Sequence, residues 1–271
     1  MQLANYHTHT NFSDGSDFPE IYIKKAIALG HHSIGISDHA PIPYYPQKWN
    51  MPMEQLHQYL DHINNLKSLF EDQIKVLTSL EIDYIPDLVN PLIDFIPKNS
   101  LDYTIGSIHY LGKLKKGELF GFELLGSQLP KGLHEVFNDN VVKMVEAYYG
   151  NLREMIQYFT PDIVGHLDRI KIINRHQHYF DEQENWYQDE LKETMHVLAQ
   201  TKAVMEINTK SIYGLKEQDP YPSYWVIALA KKYNIPIVLS SDAHQPQFID
   251  SGFKEVEAVL SELNYSNIAV F

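Results

Sequence analysis

The sequence predicts an α/β fold whose parallel strands form a closed or nearly closed barrel, and three observations carry that expectation. Short apolar runs alternate with amphipathic helical stretches along all 271 residues. Most runs lack the polar–apolar alternation of half-exposed strands, as expected for strands covered on both faces. Almost every run also ends in a histidine, aspartate or glutamate. Carboxyl ends of parallel strands converge on one face of a barrel, so residues at those ends share a mouth.

The first strand is expected over 3–9, followed by a helix over 20–29 that Gly30 is placed to terminate. Strand two follows at 33–37, then a segment holding Pro41, Pro43, Pro46 and Pro52 together with Tyr44, Tyr45 and Trp49. A helix over 53–70 leads to strand three at 74–82, a short helical piece over 87–95, and strand four at 103–108. Residues 112–135, rich in glycine and lysine, read as an insertion before a long helix over 140–159. Strands five, six and seven at 163–166, 204–207 and 237–240 alternate with helices over 183–200, 224–233 and 254–263, and a short edge follows at 268–270. A single domain over 1–271 accounts for this order without a repeat or linker. Loops as long as the proline-rich and 112–135 segments are lids, pocket walls or surface excursions.

Composition narrows the function. The net charge of −13, from 22 basic and 35 acidic residues, argues against a nucleic-acid-binding face, which needs clustered lysine and arginine. Cysteine is absent, so a metal here has to be held by histidine, aspartate and glutamate. No apolar run reaches the ~18 residues of a membrane span, and the first residues lack the zones of a signal peptide. The expected setting is the cytoplasm and the expected partner a small molecule, with oligomeric state left open.

The strand ends carry the chemistry. His7 and His9 are two apart, and alternate residues of a strand share a face, so the two imidazoles form a chelate. Asp242 and His244 repeat the spacing after strand seven, while His39, Glu81, His109 and His166 end strands two to five. Eight ligand-competent residues at one mouth exceed the needs of one ion. His57, His62, His134, His176, His178 and His196 lie on helical or loop stretches and read as surface or packing residues. His31 and His32 precede strand two, at the end away from the mouth, where a role in stability is expected.

The ordered set His7-Thr8-His9-Thr10, Ser13-Asp14-Gly15, Asp38-His39, Glu81, Ser107-Ile108-His109, Gly165-His166 and Asp242-Ala243-His244 resembles the successive motifs of the polymerase-and-histidinol-phosphatase (PHP) family of metal-dependent hydrolases. The amidohydrolases share the His-x-His opening, but they usually use a carboxylated lysine and eight strands. Glu81 at the bridging position and seven strands favour PHP. The segments Gly35 to Pro41, Gly165 to Asp168, Glu206 to Thr209 and Ser240 to His244 look like the stand-alone histidinol-phosphate phosphatases.

The resemblance implies a distorted (β/α)7 barrel with its metal site at the carboxyl ends of the strands. It also implies hydrolysis of L-histidinol phosphate in histidine biosynthesis, by a metal-bridging hydroxide attacking phosphorus. Two or three divalent ions (zinc, manganese or iron) are implied. The first takes His7, His9, Glu81 and Asp242. The second shares Glu81 and adds His109 and His166. The third takes His39 and His244 with Asp14, where many relatives carry histidine; Asp14 also suits an Asx turn before Gly15. Glu81, Asp242 and Arg169 are the candidate catalytic residues. Arg169 and Lys210 are candidates to bind the phosphate, Arg169 having an ion pair with Asp168 or a solvated loop position as its alternatives. Asn208 is expected to buttress the site, Asp168 to orient a ligand histidine, and Tyr44, Tyr45 and Trp49 to pack or to receive the imidazole. The alternatives are a PHP phosphatase for another phosphoester (nucleotide, sugar phosphate or phosphotyrosine) and a non-catalytic metal-binding module.

Overall fold

The computed structural model describes residues 3–45, 47–86, 88, 94–124, 126, 128–175 and 178–271. The helical piece expected over 87–95, and His176, lie largely outside them. Two parallel sheets dominate. The first runs β1 (Ala4–Asn5), β2 (Ser33–Ile36), β3 (Lys75–Thr78). Next come β4 (Glu81–Asp83) and β5 (Ile105–Ser107), then a hairpin of β6 (Tyr110–Lys113) and β7 (Leu119–Gly121). With β8 (Ile163–Val164), β9 (Val204–Asn208) and β10 (Ile237–Ser240), the second sheet runs β10-β9-β8-β5-β4. The expected strand three is thus two strands, one in each sheet. At the break between them the Tyr59 hydroxyl sits 2.8 Å from the Ile36 carbonyl and 2.6 Å from that of Ser79. Backbone pairing still spans the break, since Glu81 N–H donates to Asp38 O (3.1 Å) and Ala40 N–H to Glu81 O (2.8 Å). The other ends of the two sheets meet where His9 N–H donates to Ala243 O at 2.9 Å.

Among the described residues seven helices cover the sheets: α1 (Pro19–Ala28), α2 (Leu56–Phe70), α3 (Gln128–Phe137), α4 (Val141–Glu154), α5 (Asn185–Leu198), α6 (Tyr224–Lys232) and α7 (Phe253–Glu262). Their starts and stops follow local chemistry. Pro19 opens α1, where its missing N–H is no loss, and Gly30 beyond its end takes φ 81°. The Asn140 side chain caps α4 by accepting from Lys143 N–H at 3.1 Å. The helix expected to continue to residue 159 widens into a π turn over Met155–Phe159 and ends at left-handed Thr160. The insertion at 112–135 is not featureless: it holds half of the hairpin and most of α3. Helix α2 buries Leu56, Tyr59, Leu60, Ile63, Leu66 and Phe70, the stripe expected of a helix with one covered face.

Beneath the mouth, Tyr6, Leu77, Ile105, Ile163, Val204 and Val238 meet in one buried cluster with Tyr103. Each such side chain contributes roughly 1.5–3 kcal/mol on leaving water, so the polar strand ends rest on a packed apolar floor. Among the described residues no helix is long and apolar enough to cross a membrane.

Candidate metal centre

The site is assembled from strand ends. His7, His9, Glu81, His166 and Asp242 are all at least 97 % buried, a burial that isolated charges do not tolerate without partners. Glu81 stands at the centre. Its Oε2 faces His39 Nδ1 (3.0 Å), His7 Nε2 (3.4 Å) and His9 Nε2 (3.5 Å). Its Oε1 faces His166 Nε2 (2.9 Å) and His109 Nε2 (3.7 Å), and accepts from the Ser107 hydroxyl at 2.6 Å. Asp242 Oδ1 lies 3.2 Å from His9 Nε2 and 3.3 Å from His244 Nδ1. Asp14 Oδ1 lies 3.2 Å from His244 Nε2, 3.7 Å from His9 Nδ1 and 3.9 Å from His39 Nε2. All nine residues singled out as ligands therefore fall in one cluster.

Their ligand atoms group into threes and fours within 4.8 Å of one another: His7, His9 and Asp242; Glu81, His109 and His166; His9, Asp14, His39 and His244; and His39, Asp83 and His109. His7 Nε2 and both ring nitrogens of His9 are buried with no hydrogen-bond partner among the described residues. Buried nitrogens left bare and aimed at carboxylates are what a divalent cation satisfies, and this donor set of imidazole and carboxylate fits such ions.

Electrostatics agree. Burial opposes a charge on Glu81, yet His7, His39, His109 and His166 hold its carboxyl well below the usual range. Asp242 is held down likewise, against burial, by Lys210, His7, His9 and His244. Burial and the neighbouring His244 and His39 push His9 well below an ordinary histidine, so it is a neutral donor. Burial lowers His109, but Asp83 and Glu81 outweigh it and raise its pKa to about 9.

Supporting groups hold these side chains. Asp38 accepts from Thr10 N–H (2.7 Å), Thr10 Oγ1 (2.8 Å), Ser13 N–H (3.1 Å) and Ser13 Oγ (2.6 Å), shaping the turn that delivers Asp14. A Cβ on Gly15 would lie 2.0 Å from His9 O, so only glycine lets that turn fold back onto strand one. Asp83 accepts from His109 Nδ1 at 2.6 Å, and Glu206 from His7 Nδ1 at 2.6 Å. Neither carboxylate was singled out above, although each lies two residues from another residue of the site (Glu81 and Asn208) on one strand face. Asn208 buttresses as expected, with its amide donating to Glu206 (3.1 Å) and Asp242 (3.2 Å). Among the described residues Asp168 orients no histidine. It accepts from Ser223 N–H at 2.9 Å and pairs with Lys171 at 3.0 Å, because its strand end points toward the next loop rather than into the cluster.

A cavity of about 240 Å³ opens onto the cluster, lined at its rim by Trp49, Glu123, Arg169 and Lys210. Arg169 pairs with Glu123, not Asp168, through Nε (2.7 Å) and Nη2 (2.6 Å); its Nη1 is buried without a partner among the described residues. Burial raises Glu123, but Arg169 overrides it and takes its carboxyl down to about 2. Lys210 Nζ lies 3.0 Å from Asp242 Oδ1 and 3.1 Å from His244 Nδ1. Of the three loop aromatics only Trp49 reaches the cavity. Tyr44 is 81 % exposed, and Tyr45 packs beside Lys113. Glu123 carries no sequence signal, because a hairpin of unforeseen shape delivers it.

The family model described as PHP domain matches residues 5–210. The chain belongs to the PHP domain family. It is 27 % identical to a probable histidinol-phosphatase of Deinococcus radiodurans, over 95 % of this chain and 91 % of that one. Its fold resembles that of a putative histidinol phosphatase from Listeria monocytogenes (TM-score 0.80, 21 % identity, 93 % of this chain and 99 % of that one). It also resembles the histidinol phosphate phosphatase of Lactococcus lactis, solved with zinc, L-histidinol and phosphate (TM-score 0.77, 21 % identity, 100 % and 97 % covered).

Proposed function

We propose that this PHP-domain chain is a metal-dependent phosphomonoesterase that hydrolyses L-histidinol phosphate to L-histidinol and phosphate. The observation that carries the reading is the division of Glu81. One carboxylate oxygen faces His7, His9 and His39, and the other faces His109 and His166, the arrangement of a carboxylate shared between two cations. The relatives' names supply the substrate.

In this reading His7, His9, Glu81 and Asp242 hold one ion and Glu81, His109 and His166 a second. His39, His244 and Asp14 hold a third. Bound divalent ions lower the pKa of water toward ~7 and offset phosphoryl charge. The protein's own groups do the rest. Buried His9 stays neutral and so keeps a ring-nitrogen lone pair for ligation. Arg169, whose Nη1 has no partner among the described residues, and Lys210 at the rim give the phosphoryl oxygens donors in the cavity. Glu123 offers a counter-charge to the ammonium group of an amino alcohol, and Trp49 gives a flat apolar wall to an imidazole. The pairing of Thr8 with Ala243 and of His39 with Glu81, above an apolar cluster drawn from both sheets, supports a single-domain distorted (β/α)7 barrel. The net charge of −13 favours a small-molecule partner over nucleic acid.

The test is kcat/KM for histidinol phosphate against a panel of nucleotide, sugar, tyrosyl and simple aryl phosphates, after loading with Zn²⁺, Mn²⁺ or Fe²⁺. Histidinol phosphate is expected to exceed every other monoester by at least ~10²-fold. Parity with aryl phosphate overturns the substrate, and no activity on any ester with any ion overturns the enzyme.

A further inference from the structure

Glu206 is fully buried in the middle of β9 and touches both halves of the cluster. Its Oε1 lies 2.6 Å from His7 Nδ1. Its Oε2 accepts from the His166 backbone N–H at 2.8 Å and from Asn208 Nδ2 at 3.1 Å. Two of these three donors cannot reverse. The His166 N–H is main chain. The Asn208 amide is fixed because its Oδ1 accepts from the Lys210 backbone N–H at 3.0 Å, which leaves Nδ2 facing Glu206 and Asp242. A carboxylate meets all three demands because both its oxygens accept.

We propose that Glu206 is a positioning residue that sets the tautomer of His7. By accepting on Nδ1 it places the ring proton there, leaves the lone pair on Nε2, and thereby ties the His7 and His166 halves of the centre together. The inference rests on the metal reading above and adds to it a residue that touches no reacting atom.

The geometry makes an unusual demand on the isosteric variant. In Glu206→Gln the single amide oxygen must stay on the His166 N–H and Asn208, since neither can turn away. The NH₂ then faces His7 Nδ1 and can only donate to it. His7 Nδ1 must give up its proton and Nε2 must carry one, and a protonated nitrogen cannot ligate. Asp83 provides the contrast. Its Oδ1 accepts from His109 Nδ1 at 2.6 Å, while its Oδ2 has no partner among the described residues. In Asp83→Asn the amide oxygen can therefore keep His109 in place.

The experiment compares wild type, Glu206→Gln, Glu206→Asp and Asp83→Asn, each loaded with zinc. Metal content per chain, zinc affinity by chelator competition, metal-free Tm and the ¹⁵N resonances of His7 are read for each. Glu206→Gln is expected to retain wild-type metal-free Tm within a few degrees, to lose ~10–100-fold in affinity for one ion, and to move the His7 proton from Nδ1 to Nε2. Glu206→Asp, still an acceptor on both oxygens, should recover the Nδ1 proton and part of the affinity. Asp83→Asn should lose less than Glu206→Gln. A Glu206→Gln protein that keeps the Nδ1 proton and all its zinc overturns the proposal. Equal losses in Glu206→Gln and Asp83→Asn also overturn it, because missing charge alone then accounts for the effect. If wild type takes up no zinc, the metal reading fails and the proposal that rests on it fails too; zinc uptake by wild type with an unmoved His7 proton in Glu206→Gln overturns the proposal alone.

Discussion

The floor of the mouth and its rim are built on different principles. Floor residues such as His7, His9, Glu81 and His166 stand on strands or directly after them, are almost wholly buried, and each touches two or more others. Rim residues come from loops: Trp49 from the proline-rich segment, Glu123 from beyond the hairpin, Arg169 from a 3₁₀ turn, and Lys210 from just past β9. The floor is specified by the sheet, and in the proposed reading its chemistry is that of cations and phosphoryl groups in general. The rim is specified by connections, which vary without disturbing the sheet. In the proposed reading, substrate choice therefore resides at the rim and reactivity on the floor.

The strongest way to break this division is to remove the central carboxylate. Glu81→Ala is expected to lose on the order of 10⁴-fold in kcat/KM for every phosphomonoester alike; near-normal turnover after ion loading would refute a shared carboxylate. Stripping the ions with a chelator should abolish activity and lower Tm by on the order of 10 °C, both restored by adding a divalent ion. An unchanged melting curve would mean the floor holds no ion tightly. At the rim, Arg169→Ala is expected to cost about 10²-fold in kcat/KM, with metal content intact; loss of metal instead would move Arg169 to the floor. Trp49→Ala should raise KM for histidinol phosphate several-fold while leaving kcat and the turnover of small phosphates alone, which steady-state kinetics on two substrates decides.

The smallest effect concerns the pH response of the rim. Arg169 holds the Glu123 carboxyl down to about 2, below its ordinary 4.5, so the unfolded chain binds the more protons between those values. The pair's stabilisation is complete above about pH 4.5 and is lost as pH falls through about 2. The Tm difference between wild type and Glu123→Gln should accordingly shrink as pH is lowered from 6 toward 3. A difference that stays constant over that range would show that the ion pair does not set it.

The two regions also differ in how far the sequence discloses them. Alternate residues of a strand share a face whatever the rest of the chain does, so the pairing of His7 with His9 is readable from spacing, whereas Glu81, expected to close strand three, opens β4 after a break in that strand. Glu206 and Asp83 lie at that same spacing from Asn208 and Glu81, but carboxylates on apolar strands carry no mark of what they brace. Glu123 is invisible for a stronger reason: its place depends on the β6–β7 hairpin, which depends in turn on packing against α3 and α4. Strand lengths are overread for a related cause. Residues 6–10 are as buried as β1 itself, and apolar patterning reports burial, not whether a residue lies in a hydrogen-bonded ladder. Asp168 looks like its neighbours on paper, yet one step along the chain turned it onto Ser223.

The pairing of Thr8 with Ala243 has a consequence for how the protein is made. His7 and His9 leave the ribosome well before Asp242 and His244, so the contacts that close the cluster join residues more than 230 positions apart. At ~5–20 residues per second the opening histidines wait on the order of ten seconds or more for their partners, and such distant contacts are slow to close even then. Until that moment the growing chain presents an incomplete set of imidazoles, and the cluster is complete only once His244 has emerged.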